Sequence, residues 1–253
     1  MLKNLARTVT PTRVRTYIRD VRRHLQHRRD RTLTLEEVFT NIYSESAWGG
    51  EPGTFNSGTG TADESVVLPY LRAVVHELQS QGLTNGDFVD LGCGDFRVGS
   101  QLRDYASTYT AVDVVRPLID ENRRRYSDAH NVTFVHRDIV EADLPPGDVC
   151  FIRQVLQHLS NQQISLIIGK LRQYQVVFVT EHHPLDADSA VPNLDKEHGG
   201  DVRAYERSGV FLTEPPFNIP REQIKMILEV RGTRFTDHVD PGVIRTYIWR
   251  PAA

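Results

Sequence analysis

Three carboxylates sit at or just past the ends of successive apolar runs. Asp90 lies in Phe88-Val89-Asp90-Leu91-Gly92-Cys93-Gly94-Asp95, Asp113 in Thr110-Ala111-Val112-Asp113-Val114, and Asp138 in His136-Arg137-Asp138-Ile139. An apolar strand that runs into a glycine turn and then a helix brings backbone close to a ligand and points helix N–H groups at it. The segment is not the dinucleotide fingerprint, because Arg97 stands where the third glycine should be. Asp90 and Asp95 would also repel a pyrophosphate, whereas they suit a ligand bearing an ammonium and a sulfonium. Asp113, about twenty residues after the glycines, can accept both hydroxyls of an adenosine ribose. Asp138 can take an adenine amino group while Ile139 covers the ring. One aspartate at a strand end is more often a helix cap than a ligand, but three in register after three strands form a pattern. Val114 and Arg153, beside these strand ends, complete the candidate cofactor contacts.

A second set of residues could move a proton. His158, in Val155-Leu156-Gln157-His158-Leu159, falls six residues beyond the fourth apolar run, with Leu156 and Leu159 placed to bury the turn that carries it. A histidine with a pKa near neutrality is the usual proton acceptor for an alcohol that is being alkylated; the competing reading is a histidine that only orders its turn. Glu181-His182-His183-Pro184 follows the fifth run on the same rim. Glu181 and His182 are therefore candidates to share the base's duty or to orient it. Neighbouring histidines on an extended chain point in opposite directions. Glu181 and Asp201 alone do not supply the oxygen-rich shell that magnesium needs, so no metal is expected.

These groups need a scaffold that brings strand ends to one rim. From residue 85 onward, Val/Ile/Phe-rich runs at Asp87–Leu91, Tyr109–Val114, Val132–His136, Val149–Ile152 and Gln175–Thr180 alternate with helical patterns at Arg97–Tyr105, Pro117–Tyr126 and Gln162–Gln173. That alternation predicts a mostly parallel sheet with helices on both faces. Pro220 marks the start of a further helix over Arg221–Val230. Two last strands, around Thr233–His238 and Val243–Trp249, joined by Asp240-Pro241-Gly242, predict an antiparallel hairpin at the edge. Glu64–Gln79 reads as a helix, preceded by Trp48-Gly49-Gly50 and the loop Ser57-Gly58-Thr59-Gly60-Thr61. That loop either connects elements or closes over a ligand, with Tyr43 and Trp48 as candidates to close the other side. The stretch from Glu181 to Phe217 is long for a connection and polar with a few rings, which suits a lid or substrate wall that binds a sugar. Disorder is the other explanation of its composition.

The chain has 253 residues, 39% of them hydrophobic and 25% charged, enough apolar material for a core and too much for disorder. The organisation expected is a basic helical arm over 1–32, a cap with the glycine-rich loop over 33–84, and a catalytic domain over 85–253 with an insertion at 181–219. No stretch is apolar for the roughly 20 residues of a membrane span, and no signal peptide heads the sequence, so a cytoplasmic location is expected. Cys93 and Cys150 stand in apolar runs and are expected as reduced, buried thiols without zinc. Residues 1–31 carry ten basic against two acidic side chains, while the remaining 20 basic and 31 acidic residues leave the body at −11. Val14, Tyr17, Ile18, Val21 and Leu25 give the arm an apolar stripe for packing, self-association or membrane-surface docking. Without an aromatic platform beside the arginines, no nucleic-acid partner is expected.

The segment Val89 to Asp95, with Asp113, Asp138 and Val155-Leu156-Gln157-His158-Leu159, resembles the class I S-adenosylmethionine-dependent methyltransferases over roughly residues 85 to 250. The resemblance implies a Rossmann-like seven-stranded sheet with one antiparallel strand, and S-adenosyl-L-methionine over the first two strand ends. More narrowly, Gly58-Thr59-Gly60, Gly199-Gly200-Asp201-Val202-Arg203 and Pro215-Pro216-Phe217 resemble bacterial polysaccharide-modifying methyltransferases, such as the mycobacterial sugar 1-O-methyltransferases of methylmannose polysaccharide synthesis. That implies a transferase of sugar O-methylation and polysaccharide biosynthesis, acting on a small-molecule or oligosaccharide acceptor. The alternatives are a methyltransferase for another small metabolite and a non-catalytic S-adenosylmethionine-binding protein.

Overall fold

The computed structural model describes residues 30, 32–51, 53–186, 189–232 and 242–252. The basic arm, apart from Asp30 and Thr32, and the predicted strand over Thr233–His238 lie outside the described residues. Five strands, β1 (Asp87–Leu91), β2 (Thr108–Asp113), β3 (Val132–His136), β4 (Val149–Arg153) and β5 (Val176–His183), pair in parallel. With β8 (Ile224–Arg231) and β9 (Val243–Trp249) they make a seven-stranded sheet in the order β3-β2-β1-β4-β5-β9-β8. β9 runs antiparallel to both β5 and β8, so the expected antiparallel edge is present.

The strands alternate their side chains between two apolar layers, as a period of two requires. Val89, Leu91, Val112, Ile152, Val177 and Val179 face one way and pack with Ile164, Ile167 and Leu171 of the helix Asn161–Leu171. Phe88, Tyr109, Ala111, Phe151 and Phe178 face the other way and pack with Tyr70, Val74 and Leu78 of the helix Glu64–Ser80. In chain order we call the helices α1 (Leu35–Ser44), α2 (Thr59–Ala62), α3 (Glu64–Ser80), α4 (Gly99–Leu102), α5 (Arg116–Arg125) and α6 (Asn161–Leu171). Side chains fix where they begin. Thr34 and Glu37 form a reciprocal capping box on α1, and Ser160 and Gln163 do the same on α6. Asp63 caps α3 by accepting from the Ser65 N–H.

Two expectations need correction. The helix predicted over Arg221–Val230 is a single 3-10 turn, Arg221–Gln223, followed by the edge strand β8. Apolar residues do recur at Ile224, Met226, Leu228 and Val230, but Ile227 between them also fits a helical spacing; a register shift between Met226 and Leu228 and side chains that are half-buried or exposed weaken the strand signal further. In addition, β5 does not stop at Thr180. It runs on through Glu181, His182 and His183, paired with Arg245, Ile244 and Val243 of β9, and all three are buried.

The insertion after β5 is held by internal ties. Its small strands β6 (Val191–Pro192) and β7 (Ser208–Gly209) pair in parallel. Between them the Asn193 side chain donates to the carbonyls of Phe211 and Pro215 at 2.9 and 2.8 Å and accepts from the Phe211 N–H at 2.8 Å. Buried Arg203 donates to the Leu194 carbonyl at 2.5 Å and to the Leu159 carbonyl at 2.6 Å, so one guanidinium fastens the insertion to the segment after β4. No helix among the described residues is long and apolar enough to cross a membrane.

Candidate active site

A cavity of about 620 Å³ opens at the C-terminal rim of β1, β2 and β4. The rim of a parallel sheet where the strand order reverses is where such folds bind ligands, and here the reversal falls between β1 and β4. The glycine turn after β1, the ends of β2 and β4, α1, α2, the turn after β4 and the tip of the insertion all contribute to the wall.

Gly92 and Gly94 line the cavity with φ of 76° and 54°, a conformation that favours glycine. A Cβ on Gly92 would collide with Val155, and one on Gly94 with the Ser57 hydroxyl. The turn is locked from both sides. Asp113 accepts from the Gly94 N–H at 3.0 Å through one oxygen and from the Val115 N–H at 3.0 Å through the other, and Asn122 donates to the Gly94 carbonyl at 2.7 Å. Burial pushes the Asp113 carboxyl up, against the pull of those two N–H groups. Val114, Asp138 and Ile139 also face the cavity; Asp138 accepts from the Val140 N–H at 2.7 Å.

Asp90 does not line this cavity. It is buried behind the glycine turn, where the Tyr109 hydroxyl donates to it at 3.1 Å and burial pushes its pKa up to about 7. Glu181 is likewise outside the cavity wall. Its carboxyl accepts the backbone N–H groups of Val155 (3.2 Å), Leu156 (2.9 Å) and Gln157 (3.1 Å), which fixes the turn that carries His158. Burial pushes Glu181 up to about 8 against those donors and Arg203. Such contacts make it a positioning residue.

His158 and His182 both line the cavity. The His158 ring packs against Trp48 and Phe39 with centroids 5.2 and 6.1 Å away. Its Nδ1 is 3.1 Å from the Gly199 carbonyl and must donate to it, so Nε2 is the acceptor, met by the Gln157 amide at 3.3 Å. Burial, reinforced by the nearby Lys196, pushes its pKa down to about 3, far from the near-neutral value expected of a base. His183 points to the opposite side, where it packs against Phe211 and Tyr247 with neither ring nitrogen bonded. Burial also pushes its pKa down to about 3.

Several functional features are not marked by the motifs. Phe39, Tyr43 and Trp48 close one side of the cavity, with Tyr43 bonded to Ser57 at 2.9 Å and Trp48 donating to the Gly200 carbonyl at 3.4 Å. Tyr43 and Trp48 were legible as candidates, while Phe39 carried no sequence signal beyond its place on an amphipathic helix. The loop around Gly58-Thr59-Gly60 forms α2 and lines the cavity. Gly200, Asp201, Val202 and Tyr205 reach it from the insertion. Among the described residues no cluster of metal-ligating side chains occurs.

Residues 88–175 match a protein family described as a methyltransferase domain. No curated protein matches the chain. Among solved structures it is similar to the N-methyltransferase NodS of Bradyrhizobium japonicum WM9, at 13% identity and a TM-score of 0.53 over 75% of this chain and 98% of that one. The same enzyme in complex with S-adenosyl-L-homocysteine aligns at 14% identity and a TM-score of 0.50 over 72% and 86%. An S-adenosylmethionine-dependent methyltransferase of Clostridium acetobutylicum ATCC 824 aligns at 11% identity and a TM-score of 0.53 over 74% and 92%.

Proposed function

We propose that this chain, of which residues 88–175 match a methyltransferase domain, is an S-adenosylmethionine-dependent methyltransferase that transfers the methyl group to a hydroxyl of a small saccharide-like acceptor. The residues at the rim fit the cofactor. Gly92 and Gly94 leave backbone bare where a Cβ would collide, Asp113 stands at the end of β2 for a ribose, and Asp138 with Ile139 stands past β3 for an adenine. When bound, the cofactor supplies an electrophilic methyl on a sulfonium.

The observation that carries the acceptor reading is the remaining wall. Trp48 and Tyr205 offer ring faces for C–H patches, and Gln157, His158, His182 and Asp201 offer donors and acceptors beside them. A sugar needs both. Fixing the acceptor oxygen in line with the methyl is the larger part of the task, since orientation alone can contribute roughly 7–11 kcal/mol. His158, neutral because of its low pKa, is the proton acceptor in this reading. Its Nε2 lone pair becomes available when the Gln157 amide rotates toward the acceptor. A hydroxyl that has gained a methyl is strongly acidic, so a weak base suffices late in the reaction. Glu181 holds the turn that sets the distance.

The test has two stages. Calorimetry with S-adenosylhomocysteine should show binding, and Asp113→Ala should weaken it by about 1–3 kcal/mol through lost charge-assisted bonds. No binding to the wild-type chain refutes the cofactor assignment. Label transfer across free and methylated mannosides, glucosides, phenols and amines should then show the sugars methylated and His158→Asn slow; methylation of amines alone would overturn the hydroxyl reading.

A further inference from the structure

We propose that Lys170 is a positioning residue for the cofactor's base: by gathering three backbone carbonyls of the segment after β3, it holds Asp138 and Ile139 where they select adenine over a base that lacks the amino group. The proposal rests on the cofactor reading above and adds to it the residue that makes the base pocket selective.

Lys170 lies in the last turn of α6 and stands outside the cavity wall. Its ammonium donates to the carbonyls of Ile139 at 3.2 Å, Val140 at 2.6 Å and Ala142 at 2.7 Å. An ammonium has three N–H donors and no acceptor, so three converging carbonyls use it fully. Among the described residues those carbonyls accept no other hydrogen bond. They belong to the connection from β3 to β4, residues 137–148, which contains neither helix nor strand and so has no ladder of its own to take them up. Without the ammonium, three carbonyl dipoles would face one another unpaired, and the segment would spread until water reached them.

What the clamp holds is one side of the cavity. Asp138, Ile139 and Val140 all line it, and two of the three gathered carbonyls belong to Ile139 and Val140. Asp138 is fixed by the same short stretch: its carboxyl accepts the Val140 N–H at 2.7 Å, and its carbonyl accepts the Ala142 N–H at 3.0 Å. The Val140 N–H occupies one carboxylate oxygen, and the second can accept from an amino group. A carboxylate accepts and does not donate, so it receives the exocyclic amino group of adenine and repels the carbonyl that hypoxanthine carries in its place. Only a fixed carboxylate discriminates in this way, because a loose one turns aside from the wrong base. Ile139 and Val140 also share an apolar cluster with Ile164, Ile167 and Ile168 of α6, so clamp and packing hold the segment to the same helix. A guanidinium could not replace the ammonium, because its N–H groups lie in one plane and diverge.

The experiment is calorimetry on the full chain with S-adenosylhomocysteine and with S-inosylhomocysteine, which carries hypoxanthine. Wild type should prefer the adenine compound. Lys170→Met keeps the stem and removes the donors; it should weaken S-adenosylhomocysteine by about 10-fold and leave S-inosylhomocysteine within about twofold, so that the preference is largely lost. In Lys170→Ala, propylammonium should restore the preference, whereas tetramethylammonium, a cation without N–H groups, should not. Should neither variant fold, Lys170→Gln, which retains part of the donor set, should show an intermediate preference. A preference equal to wild type in every folded variant, an equal weakening of both compounds, or rescue by both cations alike overturns the role of Lys170 in selection, as does a wild type that binds the two compounds equally. A wild-type chain that binds neither compound overturns the cofactor reading, and this proposal with it.

Discussion

Four buried groups that titrate between about pH 3 and 8 shape how stability should depend on pH. His158 and His183 are each held at about 3, against 6.5 for a free histidine. Asp90 and Glu181 are raised from 3.8 and 4.5 to about 7 and about 8. A depressed histidine favours folding above 6.5 and loses that contribution as pH falls toward 3; a raised carboxyl favours folding below its free value and loses it as pH rises through its folded value. Each unmatched proton is worth about 1.4 kcal/mol per pH unit. Between pH 4.5 and 6.5 the unfolded chain holds two extra histidine protons and the folded chain two extra protons on Asp90 and Glu181, so the slopes of these four groups cancel, with the raised Asp113 carboxyl adding a folded-state proton at the acid end. Stability should therefore be level there, fall by up to about 3 kcal/mol per unit below pH 4.5, and fall again from pH 6.5 to 8. His183→Leu removes one depressed group without touching the cavity and should halve the acid slope. Urea unfolding followed by circular dichroism from pH 3.5 to 9 at fixed ionic strength reads this directly. Stability that still climbs from pH 6.5 to 8, or an acid limb unaltered in His183→Leu, would refute the assignment of these protons.

Gly92→Ala should destabilise by about 2–4 kcal/mol, from a left-handed alanine plus its collision with Val155. Adding Val155→Ala should recover the collision but not the backbone strain, so a double-mutant cycle in urea should give a coupling of about 1–3 kcal/mol; simple additivity would contradict the packing. Arg203→Met should leave S-adenosylhomocysteine affinity near wild type but speed limited proteolysis within residues 184–220, because both ties to Leu194 and Leu159 are lost. Equal cleavage rates would show that the insertion is held by other contacts.

The parallel half of the sheet was legible because β1, β2, β4 and β5 are buried on both faces and so read as continuous apolar runs, such as Val149 to Ile152. The glycine turn and Asp113 were legible for the same reason: their chemistry is local to a strand end. The edge strand was not. Ile224 to Arg231 has one half-covered face and a bulge, and Pro220 before it signals a helix start. The reach of β5 through Glu181-His182-His183 was hidden because backbone pairing with β9, not apolarity, carries the strand there. Glu181 looked like a free acid; its partners are three N–H groups that lie 24 to 26 positions earlier in the chain. The ties made by Asn193 and Arg203 depend on carbonyls whose positions only the fold supplies.

The turn from Val155 to His158 leans on Gly92 at one end and on Gly199 at the other. In the proposed reading, cofactor and acceptor therefore press on the two ends of one short turn. Whatever factor by which one occupant tightens the other, thermodynamic reciprocity requires the converse to be equal. Selection for a new acceptor through substitutions near Gly199 should then register as altered nucleoside affinity, even where no nucleoside contact has been touched.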